Sequence, residues 1–110
     1  DLIQRNSSKF DVEVVQMKKR QDDSCGYINS EFSMTGTITL SVIINIYGNG
    51  TDGTGVPRLT CGNKDNQAVV EATSVKESDG ARVYTYAVDG YFTLSTNSGN
   101  ALYFSTMSFE

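Results

Sequence analysis

Histidine and tryptophan are absent from this 110-residue sequence, and proline occurs only once. Without histidine there is no Ser-His-Asp or Cys-His nucleophile, no histidine general base and no histidine metal ligand. These absences exclude most small hydrolases and zinc enzymes. We therefore expect a protein that is not an enzyme and that needs neither a metal ion nor a cofactor.

Long apolar runs and excess positive charge are also missing. No segment approaches the roughly 18 apolar residues of a membrane helix, so we expect no membrane insertion. The formal charge of −4 offers no basic face for nucleic acid. Residues 1–20 carry a net charge of +2 and residues 21–110 a net charge of −6. The length predicts a single β domain over residues 1–110, with a basic leader and an acidic body.

The two cysteines are Cys25 and Cys61, and N-x-S/T sequons begin at Asn6 and Asn49. An even cysteine count in a short chain with sequons is typical of an oxidised, secreted domain. We therefore predict a Cys25–Cys61 disulfide and glycosylation at Asn6 and Asn49. The alternative is a pair of unrelated buried thiols in a cytosolic protein.

A basic run, Lys18-Lys19-Arg20, precedes Gln21 and an acidic, polar segment. Kexin- and furin-type proteases cut secreted precursors at such dibasic pairs, so Lys19 and Arg20 form a candidate processing site. The run is equally consistent with the solvated end of a strand. Residues 1–20 are thus either a pro-segment or the first strand.

Hydrophobic residues alternate with polar ones along most of the chain, which predicts β-strands and no helix. The first predicted strand covers Lys9 to Lys18. The second shows the clearest alternation and must bury one face. Its apolar positions are Ile38, Leu40, Val42, Ile44 and Ile46.

The second half of the chain predicts shorter strands separated by turns. Asp79-Gly80, Asp89-Gly90 and the segment 97–100 are turn sequences that tolerate positive φ. They predict a C-terminal four-strand antiparallel meander and about seven strands in all. The expected fold is an all-β sandwich or a small barrel. The predicted later strands are Arg58 to Cys61, Gln67 to Ser74, Ala81 to Val88, Tyr91 to Thr96 and Leu102 to Phe109.

Aromatic residues concentrate on the predicted meander. Tyr84 and Tyr86 share one face of their strand, because side chains in a strand alternate. An exposed tyrosine face would bind a partner protein or sugar rings. The alternative is that these aromatics pack the sheet or the core. The candidate binding residues are Tyr84, Tyr86, Tyr91 and Tyr103.

Lys19-Arg20-Gln21, followed by Ser24-Cys25, resembles the start of small secreted fungal effectors, which are cut after Lys-Arg. Among them, the ToxA-like β-sandwich effectors are the nearest comparison. The resemblance implies a secreted, non-enzymatic protein that binds a host protein or is recognised by a host receptor. We take this as the leading hypothesis. The alternative is a carbohydrate-binding or adhesin-type module of a cell surface.

Overall fold

The structure is a computed structural model with eight strands and no helix among the residues it describes. It describes residues 10–17, 27–30, 32–45, 55–78, 80–96 and 102–110. The strands are β1 (Phe10–Met17), β2 (Tyr27–Asn29), β3 (Met34–Ile43), β4 (Pro57–Asn63), β5 (Asn66–Val70), β6 (Ser74–Ser78), β7 (Ala81–Thr96) and β8 (Leu102–Phe109).

All eight strands belong to one antiparallel sheet, and β7 holds its two halves together. The first part of β7 pairs with β3 and β6, and its last residues pair with β2 and β4. Strand β8 lies between β3 and β1, and β5 pairs with β4. The main order is β1-β8-β3-β7-β4-β5, so the described strands form an open sheet.

The core lies between the two halves of this sheet. Alternate residues of β3 and β7 face it, as the period of two requires. The rings of Phe92 and Phe109 lie 5.7 Å apart between centroids, and Phe32 packs edge-on against both. These three rings therefore join β7 to β8 across the core. The fully buried large side chains are Phe92, Phe104, Ile38, Leu40, Leu59, Leu94, Leu102, Met107 and Val42.

Strand β7 changes partners at Gly90, where its φ is +124°. Gly90 pairs with Met34 of β3, and the next residue, Tyr91, pairs with Gly62 of β4. A Cβ atom at Gly90 would collide with the carbonyl oxygen of Gly62. Glycine is thus required there by both the backbone angle and the close approach of β4.

The predicted all-β, antiparallel fold is confirmed, but the predicted C-terminal meander is wrong. Asp89-Gly90 does not reverse the chain, because the ladder with β3 continues directly into the ladder with β4. Strand β8 pairs with β3 and β1 rather than with β7. The dipeptide correctly indicated positive φ, which here serves a bend within a strand.

The remaining differences concern strand limits. The predicted strand from Gln67 to Ser74 extends past the end of β5 at Val70, and β6, which begins at Ser74 in the other half of the sheet, was not predicted. Strand β3 begins at Met34, earlier than the alternation indicated. Strand β2 was not predicted. Phe10–Met17 forms a strand paired with β8, at the place of the first predicted strand; removal of residues 1–20 as a pro-segment stays a prediction.

Candidate functional site

Burial falls steeply from the middle of the sheet to its β6 edge. Leu40, Tyr84 and Val75 are direct cross-strand neighbours on β3, β7 and β6, so their side chains share one face. Their exposed fractions are 0%, 8% and 52%. The core face therefore continues outward to an uncovered apolar residue on an edge strand.

The exposed apolar residues of the described chain lie together. Its exposed large hydrophobic residues are Val56, Val69 and Val75, and all three line one cleft of about 450 Å³. The floor of this cleft contains Tyr84 and Tyr86. We call it the valine–tyrosine cleft. Its other lining residues are Pro57, Arg58, Leu59, Val70, Glu71 and Ala72.

The two floor tyrosines are stacked, with ring centroids 6.2 Å apart and planes within 10° of parallel. Tyr86 is 3% exposed. Burial raises the pKa of Tyr86 well above that of a free tyrosine, and the negative charges of ionised Tyr84 and of Glu71 raise it further. Tyr86 therefore keeps its proton at neutral pH, and the floor of the cleft at this residue is uncharged.

Two edge strands and two opposite charges border the valine–tyrosine cleft. Within the described residues, β5 pairs only with β4 and β6 only with β7. Each therefore leaves one row of backbone N–H and C=O groups without a strand partner. Arg58 and Glu71 are exposed at the lining and supply one charge of each sign. Such a border can accept both backbone hydrogen bonds and an ion pair.

The structure separates the four candidate tyrosines. Tyr84 and Tyr86 lie together in the valine–tyrosine cleft, whereas Tyr91 lines a different pocket. Tyr103 is partly buried on β8, where it pairs with Gln16 of β1. Binding through any of these tyrosines stays a prediction.

Val56, Val69 and Val75 form the rim of the cleft, and we call them the rim valines. None of them was predicted as a binding residue, although the sequence carried one signal of an exposed valine. Val69 and Val70 are consecutive, so strict alternation places them on opposite faces of β5. Val69 is accordingly 51% exposed, while Val70 packs against the core. Two adjacent apolar residues in a short strand thus indicated an apolar residue facing outward.

The Cys61 thiol is free in the structure and partly buried on β4. Its Sγ accepts a hydrogen bond from the backbone N–H of Asp89 at 3.3 Å. Cys25 lies outside the described residues, so the Cys25–Cys61 disulfide stays a prediction. The candidate glycosylation sites Asn6 and Asn49 and the candidate processing site Lys19-Arg20 also lie outside them.

The described part of the chain contains no group of three or more metal-binding side chains. None of its residues belongs to a helix long and apolar enough to cross a membrane. No protein-family model matches the chain, and neither the curated proteins nor the solved structures contain a match.

Proposed function

We propose that this chain is a non-enzymatic binding module that takes up an extended, aliphatic segment of a partner protein in the valine–tyrosine cleft. The observation that carries the proposal is the clustering of Val56, Val69 and Val75, the exposed large apolar residues of the described chain, around one cleft. A cluster of exposed apolar residues is typical of an interaction site, whereas single exposed apolar residues are common on any protein surface.

The edges of β5 and β6 favour a segment in the extended conformation. A strand added to an exposed edge gains main-chain hydrogen bonds, and its alternate side chains enter neighbouring pockets. Aliphatic side chains of such a segment would cover the three exposed valines at the rim of the cleft, above the buried tyrosine pair. Each fully buried valine-sized side chain contributes about 1.5–3 kcal/mol. The apolar contacts would thus supply most of the affinity.

Charge adds selectivity to this apolar site. Arg58 and Glu71 would pair with an acidic and a basic residue of the bound segment. The net charge of −4 attracts partners with a basic surface and raises their rate of association. The proposed partner therefore combines an extended aliphatic segment with a basic surface around it.

We also propose that the protein is secreted and acts as an effector on a host protein. The sequons, the two cysteines, the dibasic run and the resemblance to secreted effectors support this proposal. The alternative, sugar binding on the faces of Tyr84 and Tyr86, has less support. Those rings are only 8% and 3% exposed, which leaves little ring face for a sugar.

Selection of a phage library of random linear peptides on the immobilised protein tests the cleft. We expect enriched peptides with aliphatic residues at alternate positions. Val75→Asp introduces a charge at the rim and should weaken binding of the enriched peptides by about tenfold or more. Because Val75 is half exposed, this variant should fold normally.

Ser78→Asp is the matched control, since it adds the same charge to the same strand. Ser78 is exposed and faces the opposite side of β6 from Val75. The Ser78→Asp variant should therefore bind the peptides as tightly as the unmodified protein. Equal losses in the two variants, or no enrichment of aliphatic peptides, would contradict the proposal.

A further inference from the structure

A second pocket lies away from the valine–tyrosine cleft and shares no lining residue with it. It measures about 240 Å³ and lies where β2 and the end of β7 meet the turn between β4 and β5. Its lining is polar apart from one aromatic ring. Its lining includes Asn29, Ser30, Lys64, Asp65, Gln67 and Tyr91.

Two carboxamide side chains of this polar pocket are held by threonine hydroxyls. Thr93 Oγ1 donates to Asn29 Oδ1 at 2.8 Å, and Thr60 Oγ1 donates to Gln67 Oε1 at 2.8 Å. Each hydrogen bond engages the amide oxygen and restrains the orientation of the carboxamide. The amide nitrogens, which carry two N–H donors each, therefore remain for a ligand.

Ser30 contributes a third fixed group. It is 7% exposed, and its Oγ accepts a hydrogen bond from the backbone N–H of Phe92 at 2.9 Å. The main chain is joined there too, because the N–H of Ser30 donates to the carbonyl oxygen of Phe92 at 2.9 Å. The hydroxyl oxygen of Ser30 is thus held against β7, and the hydroxyl keeps one O–H donor outside these two hydrogen bonds.

The other side of the polar pocket supplies an acceptor, a charge and a ring. Asp65 and Lys64 form the turn between β4 and β5, and both are exposed. Tyr91 is only partly buried, so part of its ring is accessible. The pocket therefore offers fixed amide donors, a carboxylate acceptor and an aromatic surface within one small volume.

A pyranose ring matches this set of groups. Its hydroxyls both donate and accept hydrogen bonds, and its C–H groups pack against an aromatic ring. The volume is below the roughly 300–1,000 Å³ of drug-sized ligand sites, which suits a single sugar ring. We propose that the polar pocket binds one neutral monosaccharide unit of a glycan, with Tyr91 beneath the ring and Asp65 accepting from its hydroxyls.

The affinity of such a site is expected to be modest. A ligand of this size in an open pocket gives a dissociation constant on the order of millimolar. Saturation-transfer NMR detects binding in that range. The probes are the methyl glycosides of glucose, galactose, mannose and N-acetylglucosamine, each added to the full chain at millimolar concentration.

At least one probe should receive saturation, with its ring protons closest to the protein. Asp65→Ala and Tyr91→Ala should each lower the affinity by about tenfold or more. The Asp65 change lies in an exposed turn and leaves the strands intact, so it separates binding from folding. Val75→Asp, in the other cleft, should leave the sugar signal unchanged.

Two results would overturn the proposal: the absence of saturation for all four glycosides, or an unchanged signal in both Asp65→Ala and Tyr91→Ala. Neither result affects the protein-binding proposal, because the two sites share no residue. Conversely, failure of peptide binding at the valine–tyrosine cleft leaves the sugar proposal intact.

Discussion

At the residue scale, Tyr86 lines the cleft and also makes the stability of the fold depend on pH. Its hydroxyl ionises less readily in the folded chain than in the unfolded chain, because it is buried beside Tyr84 and Glu71. Below about pH 10, the ordinary tyrosine pKa, the folded and unfolded chains both keep the proton, so the free energy of unfolding does not change with the ionisation of Tyr86. Above that pH, the unfolded chain loses the proton first.

The free energy of unfolding should consequently fall as the pH rises above about 10, since the folded state then binds more protons. Tyr86→Phe removes this group and should make the alkaline decline shallower. Urea unfolding at several values between about pH 8 and pH 11 measures the effect. Parallel pH profiles for the two proteins would show that Tyr86 is not the group responsible.

Gly90 provides a second prediction at the residue scale. Gly90→Ala forces a Cβ atom against the Gly62 carbonyl at a φ of +124°, so it should destabilise the fold by about 3 kcal/mol. Gly80→Ala is its control, because Gly80 also has positive φ but has no neighbour within 4 Å of an added Cβ. It should cost about 1 kcal/mol.

Thermal or urea unfolding of both variants separates the free-energy cost of the backbone angle from the cost of the close contact with Gly62 of β4. A similar loss of stability at Gly90 and Gly80 would mean that the contact with Gly62 contributes little. The dipeptide Asp89-Gly90 indicated positive φ from the sequence alone. The contact itself was not predictable, because it depends on a strand almost thirty residues earlier in the chain.

At the scale of elements, alternation predicted which side chains of β3 face the core. Ile38, Leu40 and Val42 are all buried, as the period of two required, whereas Ile44 follows the end of β3 and is only partly buried, and Ile46 lies outside the described residues. The same reasoning placed Tyr84 and Tyr86 on one face. Alternation is a local property, however, and does not specify a strand's neighbours. The meander prediction failed for that reason.

The valine–tyrosine cleft illustrates the same limit. Its tyrosines come from β7, whereas its rim valines come from the residue just before β4, from β5 and from β6. The sequence predicted strands that contain Tyr84, Tyr86 and Val69, but it placed neither Val56 nor Val75 in a strand. Their convergence depends on β5 and β6 entering different halves of the sheet, which no local pattern records.

At the scale of the whole molecule, β7 makes the two halves of the sheet depend on each other. Its first part pairs with β3 and its last part with β4, so the loss of β7 removes the ladder through which each half is joined to the other. Both halves also bury residues in one core. We therefore expect the described sheet to unfold in a single cooperative transition.

Core truncations in the two halves test this cooperativity. Leu40→Ala on β3 and Leu94→Ala on β7 each remove a fully buried leucine and should cost about 2–5 kcal/mol. In both variants, far-ultraviolet circular dichroism and tyrosine fluorescence should report the same midpoint in urea. Two separated midpoints in either variant would show that the halves unfold independently.

The pairing of β1 with β8 has a mechanical consequence. The strands are antiparallel, and Phe10 lies opposite Met107, so the start of β1 lies beside the end of β8. A force that pulls the start of β1 away from the end of β8 acts perpendicular to the strands, along the direction of their hydrogen bonds. It would load the hydrogen bonds one after another rather than all at once. Tension along a tethered chain would therefore detach β1 at low force before it disturbed the strands around the two pockets.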